Sequence, residues 1–468
     1  MYQKIKDYVR NKIIEISTNV ASRVAENRSR EIASQVAIDV SNQKSQEIAS
    51  QVANKISEQK ANEILNIINE NFSTFDEKLG QSTHIIFELL KQINASKEMP
   101  NENPWDRYSE KHMGLWLGGH SQLVDGKKPV NDFFGGGINC VLSNIPLKIV
   151  SDGSTLDDIE VLIFWGQSSH VKYLPLLYNA VLKQKEILFA EDGFIYNLIS
   201  HTKSLTSTYP KKWTMGMSFT IDDITAHFDG SIASRLELKI LSNYKLSALE
   251  VNRSQLLIKK IVEQKITKYN YQSLVEKTFG TREEKVLVVD QAYGDYSVYK
   301  SGATEKVFVK MLNDALNENP NADILVKVHP DMVANPNRAG SKKGGYFASM
   351  KLDSTRIILI KEEINPYIII NQVQKVYVCT SQLGFESLMA GKKVFTYGIP
   401  FYAGWGLTVD RGKKESLKRR NIKTRTTVEL FWFAYIWYSR YFNPVSGEKC
   451  EIENVLGYII NERTVNEK

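Results

Sequence analysis

The stretch KVLVVDQAYGDYS, residues 285–297, opens on a short apolar run and turns polar at Asp290 around a single glycine. A continuous apolar run closed by a turn reads as a buried parallel strand, since a strand covered on both faces has no polar side to present. Six further runs share the pattern: VLIFW at 161–165, EILFA at 186–190, ILVKV at 324–328, RIILI at 356–360, KVYVC at 375–379 and KVFTY at 393–397. Amphipathic segments at 170–184, 305–319 and 385–390 lie between them. Strand and helix in alternation predict doubly wound α/β sheets in two sets, split near Gly280, with ligands in the cleft where strand C-termini converge.

Four strand-end turns carry candidate chemistry. In the first, Asp290, Gln291, Asp295 and Ser297 set carboxylates, an amide and a hydroxyl ahead of a helix, a pattern that suits substrate contact but also serves for capping. In KVHPD, residues 327–331, Pro330 stops the strand that carries Lys327 and fixes His329 where an imidazole can bind or neutralise a phosphate. In CTSQLGFE, residues 379–386, the Thr380 and Ser381 hydroxyls with neighbouring N–H groups suit a phosphate, and Glu386 suits a ribose hydroxyl, with Gln382 between them. The same hydroxyls cap helices in many proteins. In EDGF, residues 191–194, the paired acids Glu191 and Asp192 could supply a base for an acceptor hydroxyl, or could be solvated turn residues.

Residues 1–98 differ in kind, with no proline and no glycine before Gly80. EIASQVA occurs at 31–37 and again at 47–53, and a 16-residue period aligns Ile16, Ile32, Ile48 and Ile64. Val20, Val36, Val52 and Ile68 form a second column, and Val24, Val40 and Ile56 a third. Four-residue steps predict a long amphipathic helix. Each repeat rotates the stripe by roughly 160°, so a regular left-handed coiled coil is not specified. Self-association through this arm is the expectation, a partnerless helical spacer the alternative. A polar linker at 100–105 (PNENPW) follows.

Bulk properties set the class. With 468 residues and 42% apolar content the chain can bury a large core, and a net charge of +7 does not by itself argue for nucleic acid. The basic run at 411–425 holds eight Lys or Arg against one Glu, which predicts a solvated face or a contact for anionic lipid or an acidic glycan. Cys140, Cys379 and Cys450 are too scattered for a disulfide framework or zinc site, and a reducing cytoplasm is expected. The N-terminus lacks an ordinary secretory signal, and the richest apolar stretch, LFWFAYIWY at 430–438, is too short to span a bilayer, though it could sit in a membrane interface.

Taken together and in this order, these segments resemble the KpsC/LipB family of capsule polysaccharide proteins, retaining β-Kdo transferases. The likeness covers roughly 155–460 and includes FWG at 164–166, EDGF, the pair Asp222 and Asp223, VLVVDQ at 286–291 with Asp295 and Ser297, and VKVHPD at 326–331. It continues through TSQLGFESLMAGKKVFTYGIPFYAGWGLT at 380–408 and RYFNPVSGE at 440–448. The resemblance implies a GT-B-like α/β fold, two Rossmann-like lobes around a cleft, with CMP-Kdo as donor, no metal or other cofactor, and double displacement. It implies Asp295 as nucleophile, His329 on the CMP phosphate, and Glu191 or Asp192 as the acceptor's base. Asp290 and Gln291 would shape the pocket, and Thr380, Ser381 and Glu386 would hold the nucleotide, with Ser297, Lys327 and Gln382 beside them. Arg411 and its basic neighbours could help hold an acidic acceptor.

The chain departs from the family at Tyr196 and Asn197, where a basic residue and Ser are common, and it holds one catalytic module where KpsC holds two. The expected domains are a helical arm at 1–98, an acceptor lobe at 99–280, a CMP-sugar lobe at 281–410 and C-terminal helices with the basic segment at 411–468. Expected partners are the CMP-sugar donor, a glycan or glycolipid acceptor, a second copy through 1–98, and peripherally the inner membrane, with no nucleic acid. A transferase for another CMP-nonulosonate and a non-catalytic assembly scaffold are the alternatives. An oligomerising arm on a sugar transferase resembles chain-terminating O-antigen enzymes. Deleting residues 1–98 should then broaden the glycan length distribution on a gel while transfer onto a short acceptor persists; an unchanged distribution would remove the arm as a ruler.

Overall fold

The computed structural model describes residues 108, 110–116, 147–150, 156–166, 176–177, 179–180, 183–199, 216–329, 345–347 and 354–466. The expected arm at 1–98, the linker, Cys140, Pro330 and Asp331 lie outside the described residues, as does most of the helix expected at 170–184. The described residues form two compact units, those up to 190 together with 222–225, and those of 191–221 and 226–466.

The first unit holds four parallel strands, β1 (Met113–Trp116), β2 (Lys148–Ile149), β3 (Val161–Trp165) and β4 (Glu186–Asp192), in the order β4-β3-β1-β2. Trp116, Leu162, Phe164, Leu176, Leu177 and Phe189 bury against one another on this sheet. Trp116 meets Phe164 edge to face with ring centroids 5.5 Å apart, a favoured aromatic geometry.

The second unit contains β5 (Ser218–Asp222), helices α1 (Arg235–Leu241) and α2 (Ala248–Glu263), and then the strand read first, β6 (Lys285–Val289). It continues with α3 (Tyr296–Lys300), α4 (Glu305–Glu318), β7 (Asp323–Lys327), β8 (Ile357–Ile360), α5 (Pro366–Ile370), β9 (Lys375–Val378), α6 (Leu383–Met389), β10 (Lys393–Thr396) and β11 (Val409–Asp410). The six strands β6 to β11 form one wholly parallel sheet ordered β11-β10-β9-β6-β7-β8. The chain ends with α7 (Thr427–Phe431), a π-helix at Trp432–Tyr438, β12 (Ser439–Asn443), β13 (Glu448–Cys450) and α8 (Ile452–Asn466). Strand β12 runs antiparallel between β5 and β13.

Local chemistry explains the boundaries. Helix α4 sets Phe308, Met311, Leu312 and Ala315 on one face, and that face is buried against β6, β7 and β9. Each large side chain so buried contributes about 1.5–3 kcal/mol. Ser247 with Glu250 and Thr426 with Glu429 form reciprocal capping boxes that start α2 and α7. Asn365 caps α5, whose first residue is Pro366.

Two expectations about the C-terminal part change. The aromatic run at 430–438 is core, with Ile436 alone only partly buried, and so offers no membrane face. No helix among the described residues is long and apolar enough to cross a membrane. The basic run is not a solvated face either. Arg411 Nη1 lies 2.6 Å from Glu318 Oε1 and 3.1 Å from Asp314 Oδ2, which leaves it committed rather than available to an acidic acceptor. Arg425 donates to the Ile240 carbonyl at 2.6 Å and to Glu429 at 2.8 Å. Arg420 is buried and donates to Glu237 Oε2 at 2.6 Å, and Arg419 pairs with the same carboxylate. Among the described cations of the run, Lys413 and Lys418 stay exposed. Guanidinium groups can be buried here because each meets a carboxylate or carbonyl, a local pairing that a count of charges along the sequence does not reveal.

Burial pushes the Glu237 carboxyl pKa up, but Arg420 and Arg419 more than offset this and hold it below the ordinary value. Its contribution is therefore present above the unfolded-state pKa and lost as pH falls through the folded one. Glu237→Ala should cost about 3–5 kcal/mol in urea unfolding at neutral pH by stranding buried Arg420. The gap between wild type and variant should narrow on acidification, and a gap independent of pH would contradict this pairing.

Candidate functional site

Strands β9, β6 and β7 are neighbours in register and all parallel, so their C-terminal turns emerge side by side. They open on a cavity of about 530 Å³ within the second unit, together with the last two residues of β4, Glu191 and Asp192. All twelve residues singled out from sequence line it: Glu191, Asp192, Asp290, Gln291, Asp295, Ser297, Lys327, His329, Thr380, Ser381, Gln382 and Glu386. The pair Asp222 and Asp223 does not, and Asp222 Oδ1 instead accepts from the Ile224 and Thr225 N–H groups to close a turn.

At the end of β6, buried Asp290 accepts from the N–H groups of Gln291 and Tyr346, both at 2.9 Å. Burial pushes its pKa up to about 7, although these donors favour the carboxylate. It anchors Tyr346, whose ring stacks on Phe308 at 3.8 Å between centroids. Gln291 bridges to β9's turn, its Nε2 donating to Thr380 Oγ1 at 2.9 Å and its Oε1 accepting from Thr380 N at 2.8 Å. Thr380 Oγ1 is also 2.8 Å from Ser297 Oγ. Ser297 in turn gives both its N–H and its hydroxyl to Asp295 Oδ1, at 2.8 and 2.7 Å. Asp295 thus caps α3 through one oxygen, and Oδ2 makes no hydrogen bond among the described residues.

Lys327 is turned inward. Its Nζ donates to the Glu362 carbonyl at 3.0 Å, and burial pushes its pKa down to about 8. It ties the end of β7, and with it His329, to the segment after β8. On the β9 side Ser381 Oγ accepts from Leu383 N at 3.3 Å, a serine turn just ahead of α6, whose own cap Gln382 makes no side-chain capping bond. A Cβ on Gly384 would come 2.1 Å from the Tyr402 hydroxyl that donates to the Ser381 carbonyl, so this close approach needs glycine. Gln382 Nε2 donates to Phe194 O at 2.7 Å and to Glu386 Oε1 at 3.2 Å, which joins α6 to the EDGF turn. Buried Glu386 also accepts from Thr267 Oγ1 at 2.9 Å, and burial pushes its pKa up to about 7.

The cavity also takes residues that the sequence reading missed. Among these are His227, Thr267, Lys268, Tyr269 and Gln272. Lys268 Nζ sits 3.4 Å from Asp192 Oδ2. Desolvation opposes its charge, yet Tyr269, Asp192 and Glu191 hold its pKa above the usual lysine value. Burial pushes His227 down to about 3, so its ring is neutral at physiological pH, and Nδ1 lies 3.4 Å from Thr220 Oγ1. The run TKYNYQS at 267–273 has no strand before it and no periodicity, so a search of strand ends passes over it. Its mix of Lys, Tyr, amides and hydroxyls was the available signal.

Known proteins bear on this geometry. A family model described as capsule polysaccharide biosynthesis protein matches residues 196–441. The capsule polysaccharide modification protein LipA of Neisseria meningitidis serogroup B is 35% identical over 326 residues, 68% of this chain and 43% of its own. The lipopolysaccharide-processing protein LpsZ of Rhizobium meliloti is 28% identical over 301 residues, 64% of this chain and 63% of its own. The match thus spans less than half the length of LipA. Among solved structures, Thermosulfurimonas dismutans KpsC, described as a beta Kdo 2,4 transferase, is 30% identical with a TM-score of 0.61, covering 75% of this chain and 98% of that one. A second KpsC structure, described as a beta Kdo 2,7 transferase, is 22% identical with a TM-score of 0.50, covers 75% of this chain and 99% of that one, and bears on the fold alone. The α/β architecture with parallel sheets is therefore shared with a Kdo glycosyltransferase, and the family match over more than half of the residues shows that the chain belongs to the KpsC/LipB-like capsule polysaccharide biosynthesis family.

Proposed function

We propose that the chain is a retaining β-Kdo glycosyltransferase that moves Kdo from CMP-Kdo to a bacterial surface glycan or glycolipid, without a metal. The observation that carries the reading is Asp295, held by Ser297 through one oxygen in a cavity shared with His329, Thr380 and the acids Glu191 and Asp192. Likeness to the KpsC described as a beta Kdo 2,4 transferase supports the sugar and the reaction class.

In the first displacement Asp295 Oδ2 attacks the anomeric carbon, the bond from that carbon to the CMP phosphate oxygen breaks, and CMP leaves with the electron pair. His329, donating to the phosphate, stabilises the charge that develops on it. In the second, Glu191 or Asp192 takes the acceptor's hydroxyl proton, the acceptor oxygen attacks the same carbon from the opposite face, and Asp295 is released as carboxylate. Two inversions give net retention. Gln291 and Ser297 act by orientation, since their bonds to Thr380 and Asp295 leave the nucleophile one position.

A capsule linker and a terminal cap of an O-antigen-like chain are both compatible acceptors, and a lipid-borne acceptor would bring the protein to the cytoplasmic face of the inner membrane. Asp295→Asn keeps a capping oxygen and so should leave the thermal midpoint within about two degrees. It should lower transfer from CMP-Kdo to a synthetic glycan by at least about a thousandfold and abolish the Kdo adduct in intact-mass spectra. Transfer that survives the substitution would remove Asp295 as nucleophile, and a wild-type protein that gives no product would favour the scaffold.

A further inference from the structure

The cavity is crowded with acids, Glu191, Asp192, Asp290, Asp295 and Glu386, and its lining includes no arginine. Its two lysines are not equivalent. Lys327 is 4% exposed and spends its ammonium on backbone carbonyls. The Lys268 side chain is 30% exposed, with its ammonium against Asp192.

The backbone that carries Lys268 is bolted down. Its carbonyl accepts from Tyr196 N at 3.1 Å and Asn197 N at 3.3 Å. Thr267, just before it, donates its hydroxyl to Glu386 and its N–H to Asn270 Oδ1 at 3.0 Å. Arg463 in α8 holds Asn270 through the same oxygen at 3.0 Å. A lysine on a fixed backbone, its side chain partly exposed at the cavity, is preorganised to meet an anion, because only side-chain rotamers remain to be ordered.

We propose that Lys268 is the receptor for the carboxylate of an acidic sugar and thereby restricts the site to such sugars. The ligand's carboxylate takes the place of Asp192 beside the ammonium, and Asp192, released from the pair, becomes available to an acceptor hydroxyl. A ulosonic acid carries an ionised carboxylate on its anomeric carbon, which among these acids needs one facing cation. The identity of the sugar rests on the transferase reading; the anion receptor does not.

The test compares free Kdo with its methyl ester by NMR titration, which requires no turnover. Wild type should bind the acid at least about tenfold more tightly than the ester, Lys268→Arg should keep most of that preference, and Lys268→Met should lose it. Binding of CMP, which has no carboxylate, should be the same in all three and reports on their folding. Equal affinity of wild type for acid and ester, or a preference that persists in Lys268→Met, overturns the proposal. Transfer assays assign the source. A raised KM for CMP-Kdo alone places the donor's carboxylate on Lys268; a raised KM for an acceptor ending in an acidic sugar, with a neutral acceptor unaffected, places the acceptor's. If neither KM moves in Lys268→Met, the residue is no specificity determinant.

Discussion

Everything at the site depends on three parallel strands ending at the same level. Because β9, β6 and β7 pair in register, the residues that follow Val378, Val289 and Lys327 must leave the sheet together, and each turn supplies polar groups within reach of the next. A parallel sheet buries both faces and leaves its C-terminal edge as the place where backbone and side chains are free to meet a ligand. The bridge from Gln291 to Thr380 spans two such turns, its partners 89 positions apart in the chain. Neither turn would hold its shape without the other, since each carries polar groups that only the neighbour satisfies.

A second constraint is the disposition of charge. Carboxylates at the cavity are divided between deep ones, Asp290 and Glu386, whose burial favours the neutral form, and Asp192 and Asp295, which face a lysine and a serine. The deep pair fixes its surroundings: Asp290 accepts from the Tyr346 N–H, and Glu386 from the Thr267 hydroxyl and the Gln382 amide. The other two line the cavity beside Lys268 and Ser297. Similar residues thus serve opposite ends because desolvation and partner differ, not because of the residue type. The basic run follows the same logic, its buried arginines tying a turn-rich segment to α1.

Much of this was legible. Apolar runs of four or five residues identified β3, β6, β7, β8, β9 and β10 to within a residue at each end, because a strand buried on both faces admits few other compositions. Strand β4 runs two residues further, to Asp192, and carries the acids with it. Strands β5, β12 and β13 escaped: β5 and β12 are largely buried yet carry Ser, Thr, Asp, Arg and Asn among their apolar residues, and β13 is a short, largely exposed edge. The segment at 267–273 escaped for a different reason: its place in the cavity is imposed from outside, by Glu386, Asn197 and Arg463.

The sequence by itself determined the alternation of strand and helix, the polar turns at strand ends and the family to which they belong, since all of these are local patterns along the chain. Only the tertiary structure decided which of those polar groups line the cavity with an oxygen that bonds to no described residue, as Asp295 does, and which are spent on backbone, as Lys327 and Gln382 are. It likewise brought Lys268 to Asp192, far apart in the chain, and turned Arg420 inward to Glu237. The physical reason is that hydrogen-bond satisfaction and desolvation depend on what surrounds a group in space, and neighbours in space are set by the packing of the sheet and not by neighbours in the chain.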